Sequence, residues 1–375
     1  MIRNLDNLVG NISVCNFCLF LLVLVALLNA RHLFSSKISN KVGTGYVVLW
    51  IVFTLYSCFF CPPGGDNFAS MNNYDAYFGG IDKESLHFEA LYFWLMDLFS
   101  FGYVSWRFAV WGLLGATSYV FLSKLLRLDK HLSTVACFTF ALPILFYYQR
   151  AACGYCLLYI AMTIYMNNPL GYSRGRKKTT AILAALVALL FHTSMSFYLV
   201  VLLISIIVPL NQKSIFLIIG VLVLIGQFLF FFTDSFLSFM SDDTQETGYR
   251  YLENAHVMNK NLAGRVFELL DKAPVYFMVL WGIIQQLRGR ILLSKTEKVC
   301  LLNTFIIISI SLMFKSESFV IESKFYKASM VPFTLFLASY FPKIRGTQVA
   351  QLYVIGTALL IVLMSYYKLS RGAFY

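Results

Sequence analysis

The feature that most constrains this chain is a succession of apolar runs, most of them roughly 15–20 residues long, separated by short polar loops. A helix of that length crosses the ~30 Å hydrocarbon core of a bilayer. Of the 375 residues, 59% are hydrophobic and only 13% are charged, whereas a soluble globular chain is about 45–50% apolar and about 25% charged. These proportions argue against a soluble protein, and we predict a single all-α, polytopic membrane domain over residues 1–375.

Twelve windows are long and apolar enough to be predicted as membrane spans. In chain order they cover residues 12–30, 44–61, 106–122, 132–148, 151–167, 180–191, 195–209, 214–233, 273–287, 299–314, 325–341 and 349–367. A further apolar stretch, 88–103, includes Glu89 and Asp97, and charged side chains are costly within a bilayer. Whether this stretch also spans must be decided from the orientation of the other helices.

Basic residues predict that orientation, because cytoplasmic loops carry an excess of Lys and Arg. With the N-terminus outside, the six loops expected in the cytoplasm hold 17 basic residues and two acidic ones. If 88–103 also spanned the membrane, the basic loop 123–131 would move outside. We therefore predict 88–103 to be an amphipathic or re-entrant helix at the outer surface, and both termini to lie outside.

Sequence motifs for nucleotide chemistry are absent: the chain has no GxGxxG and no GxxxxGK[ST] pattern. The net charge of +12 follows from the basic loops of a membrane protein, so we expect no nucleic-acid partner. Three CxxC pairs, Cys15/Cys18, Cys58/Cys61 and Cys153/Cys156, lie in or beside apolar spans. Cys in such surroundings packs as a small hydrophobe, and the alternative is a thiol redox or soft-metal site.

Ionisable residues gather in three expected outer segments, 62–105, 234–272 and 315–324. The first is rich in Asp, Glu, Asn and Tyr, a composition typical of sugar-binding surfaces, with a solvated loop as the alternative. Arg150 marks the tip of a helical hairpin. Its planar guanidinium would suit a phosphate group there, and the alternative is that it anchors the hairpin at the membrane interface. The second segment holds Arg250 between Tyr249 and Tyr251, and Arg265 on an expected helix that returns to the membrane.

Four motifs in a fixed order resemble the EpsG-type branch of the Wzy-like bacterial polysaccharide polymerases. They are a Gly-Gly-Asp loop with Asp66 and Tyr74, the segment HFEALYFWL with Glu89 and Tyr92, the hairpin YYQRAACGYCLLY with Tyr148 and Arg150, and the junction LLFHTSMSF with His192. The resemblance covers residues 60–210 well. It departs from the family at Ala151, where Gln is usual, and at Lys324, where such proteins often carry Arg before an aromatic pair.

The resemblance implies a glycosyltransferase of the bacterial cytoplasmic membrane with a GT-C-like architecture. Such an enzyme joins oligosaccharide repeat units carried on undecaprenyl pyrophosphate at the outer face of the membrane. As a hypothesis for such a reaction, Glu89 or Asp66 would act as general base, and His192 would orient one of the reacting groups or hydrogen-bond a phosphate. Arg150, with Arg250 or Arg265, would stabilise charge on the pyrophosphate.

The expected substrate contacts also include aromatic side chains, namely Tyr74, Tyr92, Tyr148 and Tyr249. The expected partners are the undecaprenyl-pyrophosphate-linked donor and acceptor, membrane lipid and a chain-length regulator protein, with no cofactor and no metal. The main alternative is a flippase that transports lipid-linked oligosaccharide, although no internal repeat and no charged midplane path supports it. A membrane acyltransferase with His192 as base, or a non-catalytic scaffold, are the remaining alternatives.

Overall fold

The computed structural model describes residues 74–81, 90–98, 102–103, 114–129, 132–133, 136–137, 140, 149–192, 194–227, 262–314 and 319–371. Within these ranges the regular secondary structure is entirely helical, in agreement with the predicted all-α class. The predicted spans 12–30 and 44–61, and most of 132–148, lie outside the described residues. The count of twelve spans stays a prediction.

Eleven helices are described, preceded by a short helical turn over residues 74–78. They are α1 (Ala90–Leu98), α2 (Leu114–Leu125), α3 (Gln149–Asn167), α4 (Arg174–Phe191), α5 (Met195–Ile207), α6 (Gln212–Gln227), α7 (Leu262–Leu287), α8 (Lys295–Met313), α9 (Phe319–Ala328), α10 (Met330–Ile344) and α11 (Gln348–Arg371). Among the described residues, α8 alone is long and apolar enough to cross a membrane by length and composition. Shorter apolar helical stretches are Cys153–Asn167, Met195–Ile207, Gln212–Ile225 and Gln348–Ile361.

The stretch 88–103 is described only in part. Within it, α1 covers the nine residues Ala90–Leu98, and residues 102–103 are also described. The placement of this stretch at the outer surface rather than across the bilayer stays a prediction.

One predicted span is divided in the structure. The window 325–341 was expected to form a single helix, but α9 ends at Ala328 and α10 begins at Met330, with a turn at Ser329. Pro332 has no backbone N–H, so the carbonyl of Ala328 lacks the donor that would continue the helix. At the turn, the Ser329 hydroxyl donates a hydrogen bond to the Tyr326 carbonyl oxygen at 2.7 Å.

The chain divides into two compact units, Met1–Tyr198 with Leu337–Tyr375, and Leu199–Phe336. In the first unit, α3 packs along α2 and α4. The approach of α3 to its neighbours requires Gly154, because a Cβ there would lie 2.6 Å from the Met195 Sδ and 3.3 Å from the Ala188 carbonyl oxygen. Cys153 and Cys156 on the same helix are fully buried and form no disulfide, as the packing interpretation of this CxxC pair expects.

The helix α4 begins inside the loop 168–179 that the sequence predicts to be cytoplasmic. Ser173 caps it by accepting a hydrogen bond from the Arg176 N–H at 3.5 Å. Four basic residues stand in its first turns, namely Arg174, Arg176, Lys177 and Lys178. The basic cluster therefore belongs to the start of a helix rather than to an irregular loop.

The second unit is organised around α8, which packs against α6, α7 and α9. Ser294 and Glu297 close its N-terminus with a capping box, which satisfies two backbone N–H groups. On α7, Gly282 allows the close approach of neighbouring helices, since a Cβ there would lie 2.8 Å from Cζ of Phe336 and 3.3 Å from Cδ2 of Leu301. Small residues thus set helix separation in both units.

Candidate functional site

A buried cluster in the first unit joins segments that are far apart in the sequence. It contains residues from the 74–78 turn, from α1, from the 102–103 segment, from the start of α3 and from the end of α4. Its buried members are Tyr74, Leu95, Met96, Tyr103, Cys153 and Phe191. All four motifs noted in the sequence therefore contribute a residue to one core, the fourth of them through Phe191, which immediately precedes His192.

Tyr74 is a structural member of this cluster. Its side chain is only 3% exposed, and its ring packs edge-on against Tyr103 with 5.7 Å between centroids. The phenolic oxygen accepts a hydrogen bond from the Gly102 N–H at 3.2 Å. Burial raises the pKa of the Tyr74 phenol above its usual value.

His192 ends α4 in an extended conformation and is partly buried. Its Nδ1 accepts a hydrogen bond from the Ser194 backbone N–H at 3.1 Å and lies 2.9 Å from the Ser194 hydroxyl oxygen. A backbone N–H can only donate, so Nδ1 is an acceptor and the neutral ring carries its proton on Nε2. Nε2 is therefore the donor nitrogen of a neutral His192, and Nδ1, which already accepts from Ser194, is poorly arranged to take up a proton.

The remaining predicted site residues divide into two groups. Arg150 is the second residue of α3, Tyr92 lies within α1, and Arg265 is near the start of α7. Arg150 thus precedes the buried Cys153 by about one helical turn. The other predicted residues lie outside the described ranges, and they are Asp66, Glu89, Tyr148, Tyr249 and Arg250.

An exposed polar and aromatic surface lies on α1 next to the buried cluster. Tyr77 donates a hydrogen bond to Oδ1 of Asp97, and its ring packs 5.4 Å from that of Phe93. Asp97 itself is exposed, and the Trp94 side chain is 58% exposed. The helix therefore presents a large aromatic ring and a carboxylate to its surroundings.

A buried ionic cluster occurs in the second unit, between α7 and α9. The Lys272 ammonium donates to Oε1 of Glu268 at 2.8 Å and to Oε1 of Glu322. It also lies 5.1 Å from the centre of the Tyr326 ring, a cation–π geometry. Glu322 is 1% exposed, and no donor within the described part of the chain reaches its Oε2.

This Glu268–Lys272–Glu322 cluster places two carboxylates around one ammonium. It joins the expected second outer segment, which ends at residue 272, to the third, which spans 315–324. A hydroxyl of Ser311 supports it by donating to the Glu322 carbonyl at 2.8 Å. Among the residues that the structure describes, no group of three or more His, Cys, Asp or Glu side chains could hold a metal ion.

Comparison with known protein families gives a match over most of the chain. The family model that matches is that of the EpsG family, over residues 43–375. The chain belongs to the EpsG family. No curated protein and no solved structure gives a significant match. EpsG proteins are linked to exopolysaccharide biosynthesis, and membership together with the apolar helices indicates a membrane protein.

Sequence reasoning about this EpsG-family chain missed two groups of residues. It placed Glu322 within the third outer segment but did not single out its partner Lys272, although Glu268 and Lys272 stand at the i, i+4 spacing of helical ion pairs. It noted Asp97 as an unusual charge in an apolar helix but not Trp94 beside it. For Lys272 the missing information is the contact with the distant Glu322, which local spacing does not contain. Trp94, in contrast, stands only three residues before Asp97.

Proposed function

We propose that this EpsG-family protein is a polysaccharide polymerase of the bacterial cytoplasmic membrane. It joins oligosaccharide repeat units carried on undecaprenyl pyrophosphate, at the membrane face that is turned to the periplasm or exterior. The observation that supports the proposal best is the meeting of the family's motif segments at one buried cluster. Tyr92, Arg150 and His192 lie on the segments that meet at this core.

The reaction is a glycosyl transfer from a lipid carrier. A hydroxyl of one lipid-linked glycan attacks the anomeric carbon of another, the bond from that carbon to the pyrophosphate oxygen breaks, and undecaprenyl pyrophosphate leaves. In the proposed mechanism Glu89 or Asp66 takes the hydroxyl proton as general base. Arg150, assisted by Arg250 or Arg265, stabilises the negative charge that develops on the leaving pyrophosphate.

In this mechanism His192 is a hydrogen-bond donor and not the general base. Since its Nδ1 accepts from Ser194, its Nε2 proton suits a hydrogen bond to a phosphate oxygen. The neutral ring then adds a donor that complements the arginine. Tyr92, Tyr148 and Tyr249 are proposed to contact the glycan, and a chain-length regulator protein is a proposed partner.

The experiment that tests this function is a gel analysis of glycan chain length. Cells would carry the intact protein, Arg150→Ala or Glu89→Gln at equal membrane abundance. Arg290→Ala, an exposed arginine in the turn after α7, serves as the matched control. We expect long polymer from the intact protein and the control, and single lipid-linked repeat units on the outer face from the other two variants.

The same experiment distinguishes the polymerase from the flippase. If repeat units instead accumulate facing the cytoplasm in cells that carry Arg150→Ala or Glu89→Gln, export has failed and the transport function replaces polymerisation. If both variants make polymer of normal length, the assigned roles of Arg150 and Glu89 are wrong.

A further inference from the structure

The helix α1 has one buried face and one exposed face with distinct chemistry. Leu95 and Met96 are buried in the cluster described above, whereas Trp94 and Asp97 are exposed. Residues three apart on a helix are neighbours on one side, with about 5–6 Å between their Cβ atoms. The Trp94 ring and the Asp97 carboxylate therefore lie close enough to contact one small ligand.

The Asp97 carboxylate is held in a defined direction. The Tyr77 hydroxyl donates to its Oδ1, and the Tyr77 ring is itself fixed between Phe93, at 5.4 Å, and Phe78, at 5.1 Å. A carboxylate offers about four acceptor positions, so it can accept from further donors while it keeps the Tyr77 hydrogen bond. An oriented, exposed acceptor of this kind is preorganised for a hydroxyl group.

A pyranose ring matches this combination of groups. Its C–H face is apolar and stacks on an indole ring, while its equatorial hydroxyls donate to a carboxylate at the ring edge. A lipid acyl chain would match Trp94 alone, because an ionised carboxylate is costly in an apolar environment. The position of Asp97 and its orientation by Tyr77 therefore favour a sugar over lipid.

We propose that Trp94 and Asp97, with Tyr77 orienting the carboxylate, form a subsite for a sugar ring of the growing glycan. The inference rests on the proposed polymerase function and adds to it a place where the chain that is being extended is held. Trp94 supplies the stacking face, and Asp97 accepts from a ring hydroxyl. Tyr77 is a positioning residue, since it acts through Asp97.

The test is a binding measurement on the full-length protein in lipid nanodiscs. The probe is an oligosaccharide of one to three repeat units, cut from the producing strain's own surface polysaccharide and labelled at its reducing end. Fluorescence anisotropy would give its Kd for the intact protein, Trp94→Phe, Trp94→Leu and Asp97→Asn. Leu98→Ala is the control, because Leu98 is similarly exposed on the same helix and has neither an aromatic ring nor a polar group.

A sugar subsite predicts a specific pattern of affinities among these variants. Asp97→Asn should weaken binding about tenfold or more, since hydrogen bonds to charged groups are the stronger ones. Trp94→Leu should weaken it about fivefold, the order expected for loss of an aromatic contact, whereas Trp94→Phe should retain most of the affinity. Leu98→Ala should match the intact protein. Tyr77→Phe should weaken binding less than Asp97→Asn, because it removes the hydroxyl that positions the carboxylate but leaves the carboxylate itself.

Several results would overturn the subsite. If Trp94→Leu binds the probe as tightly as the intact protein, or if Asp97→Asn leaves Kd unchanged, the surface does not hold a sugar. If the variants bind the probe with unchanged affinity and the protein still makes polymer in cells, the subsite is refuted but the polymerase function is not. An intact protein that makes no polymer contradicts the proposed function itself. Gel filtration of each variant, together with Trp94→Phe as the conservative replacement, separates misfolding from loss of contact.

Discussion

Replacing Lys272 by Met should strongly destabilise the second unit. The variant keeps the apolar stem of the side chain but leaves Glu322, which is 1% exposed, without its ammonium partner. At the 2.8 Å separation from Glu268, the Coulomb attraction is about 6 kcal/mol in an effective dielectric of about 20, and desolvation offsets part of it. Removing one member of a buried ion pair typically costs about 3–5 kcal/mol. At about 2–4 °C per kcal/mol, the apparent Tm should fall by ~6–20 °C.

The assay is thermal unfolding of the purified protein in detergent micelles, followed by the fraction that remains monodisperse after heating. Lys213→Met, an exposed lysine on α6, is the matched control and should shift the Tm by no more than ~2 °C. Glu322→Gln should lower the Tm much less than Lys272→Met, because Lys272 keeps Glu268 as a partner. The double variant should recover at least half of the loss.

Two results would refute this reasoning about the ionic cluster. In the first, Lys272→Met unfolds within ~3 °C of the Lys213→Met control, which would mean that Glu322 does not depend on the ammonium. In the second, the double variant is no more stable than Lys272→Met alone. The loss would then come from packing rather than from an uncompensated charge.

Three further predictions follow from packing and capping. Gly282→Ala should destabilise the protein by about 1–3 kcal/mol through overpacking against α8 and α10. Gly220→Ala, whose Cβ meets nothing within 4 Å, should instead stabilise the protein by up to ~1 kcal/mol, and the difference in Tm between the two variants checks this prediction. Ser294→Ala should cost about 1 kcal/mol by removing the cap of α8, measured in the same unfolding assay. Cys153 and Cys156 should resist a membrane-permeant maleimide in the native protein and react after denaturation, as mass spectrometry of the peptides would show.

Sequence reasoning predicted the helices well where the apolar period is uninterrupted. The predicted spans 151–167, 195–209 and 299–314 each coincide with a described helix to within a few residues. The sequence also singled out the segments around Tyr74 and His192 as motifs of one family, and the buried cluster brings these segments together. These features depend on local periodicity and on the order of motifs, both of which a single sequence displays.

The division of 325–341 and the ionic cluster were not predicted, for two different physical reasons. Hydropathy alone does not show the helix break near Pro332, because a proline in the first turn of a new helix is compatible with a highly apolar window. The partner of Lys272 stands fifty residues further along the chain at Glu322, and nothing in the spacing of either residue indicates the other. Contacts of this kind follow from the packing of α7 on α9, which is a tertiary property.

The basic start of α4 has a consequence for how the protein is made. Positive charges at the N-terminal end of a helix oppose its macrodipole, at a cost of about 0.3–1 kcal/mol each near the surface, and Arg174, Arg176 and Lys177 stand in that place. The helix dipole therefore does not account for them, although Arg176 and Lys177 lie over the rings of Tyr172 and Tyr165. In the predicted topology, retention during synthesis would account for them, because a loop rich in Lys and Arg resists translocation. These residues would act once, while the nascent chain is inserted, and their substitution should disturb the threading of the flanking helices more than the stability of the finished protein.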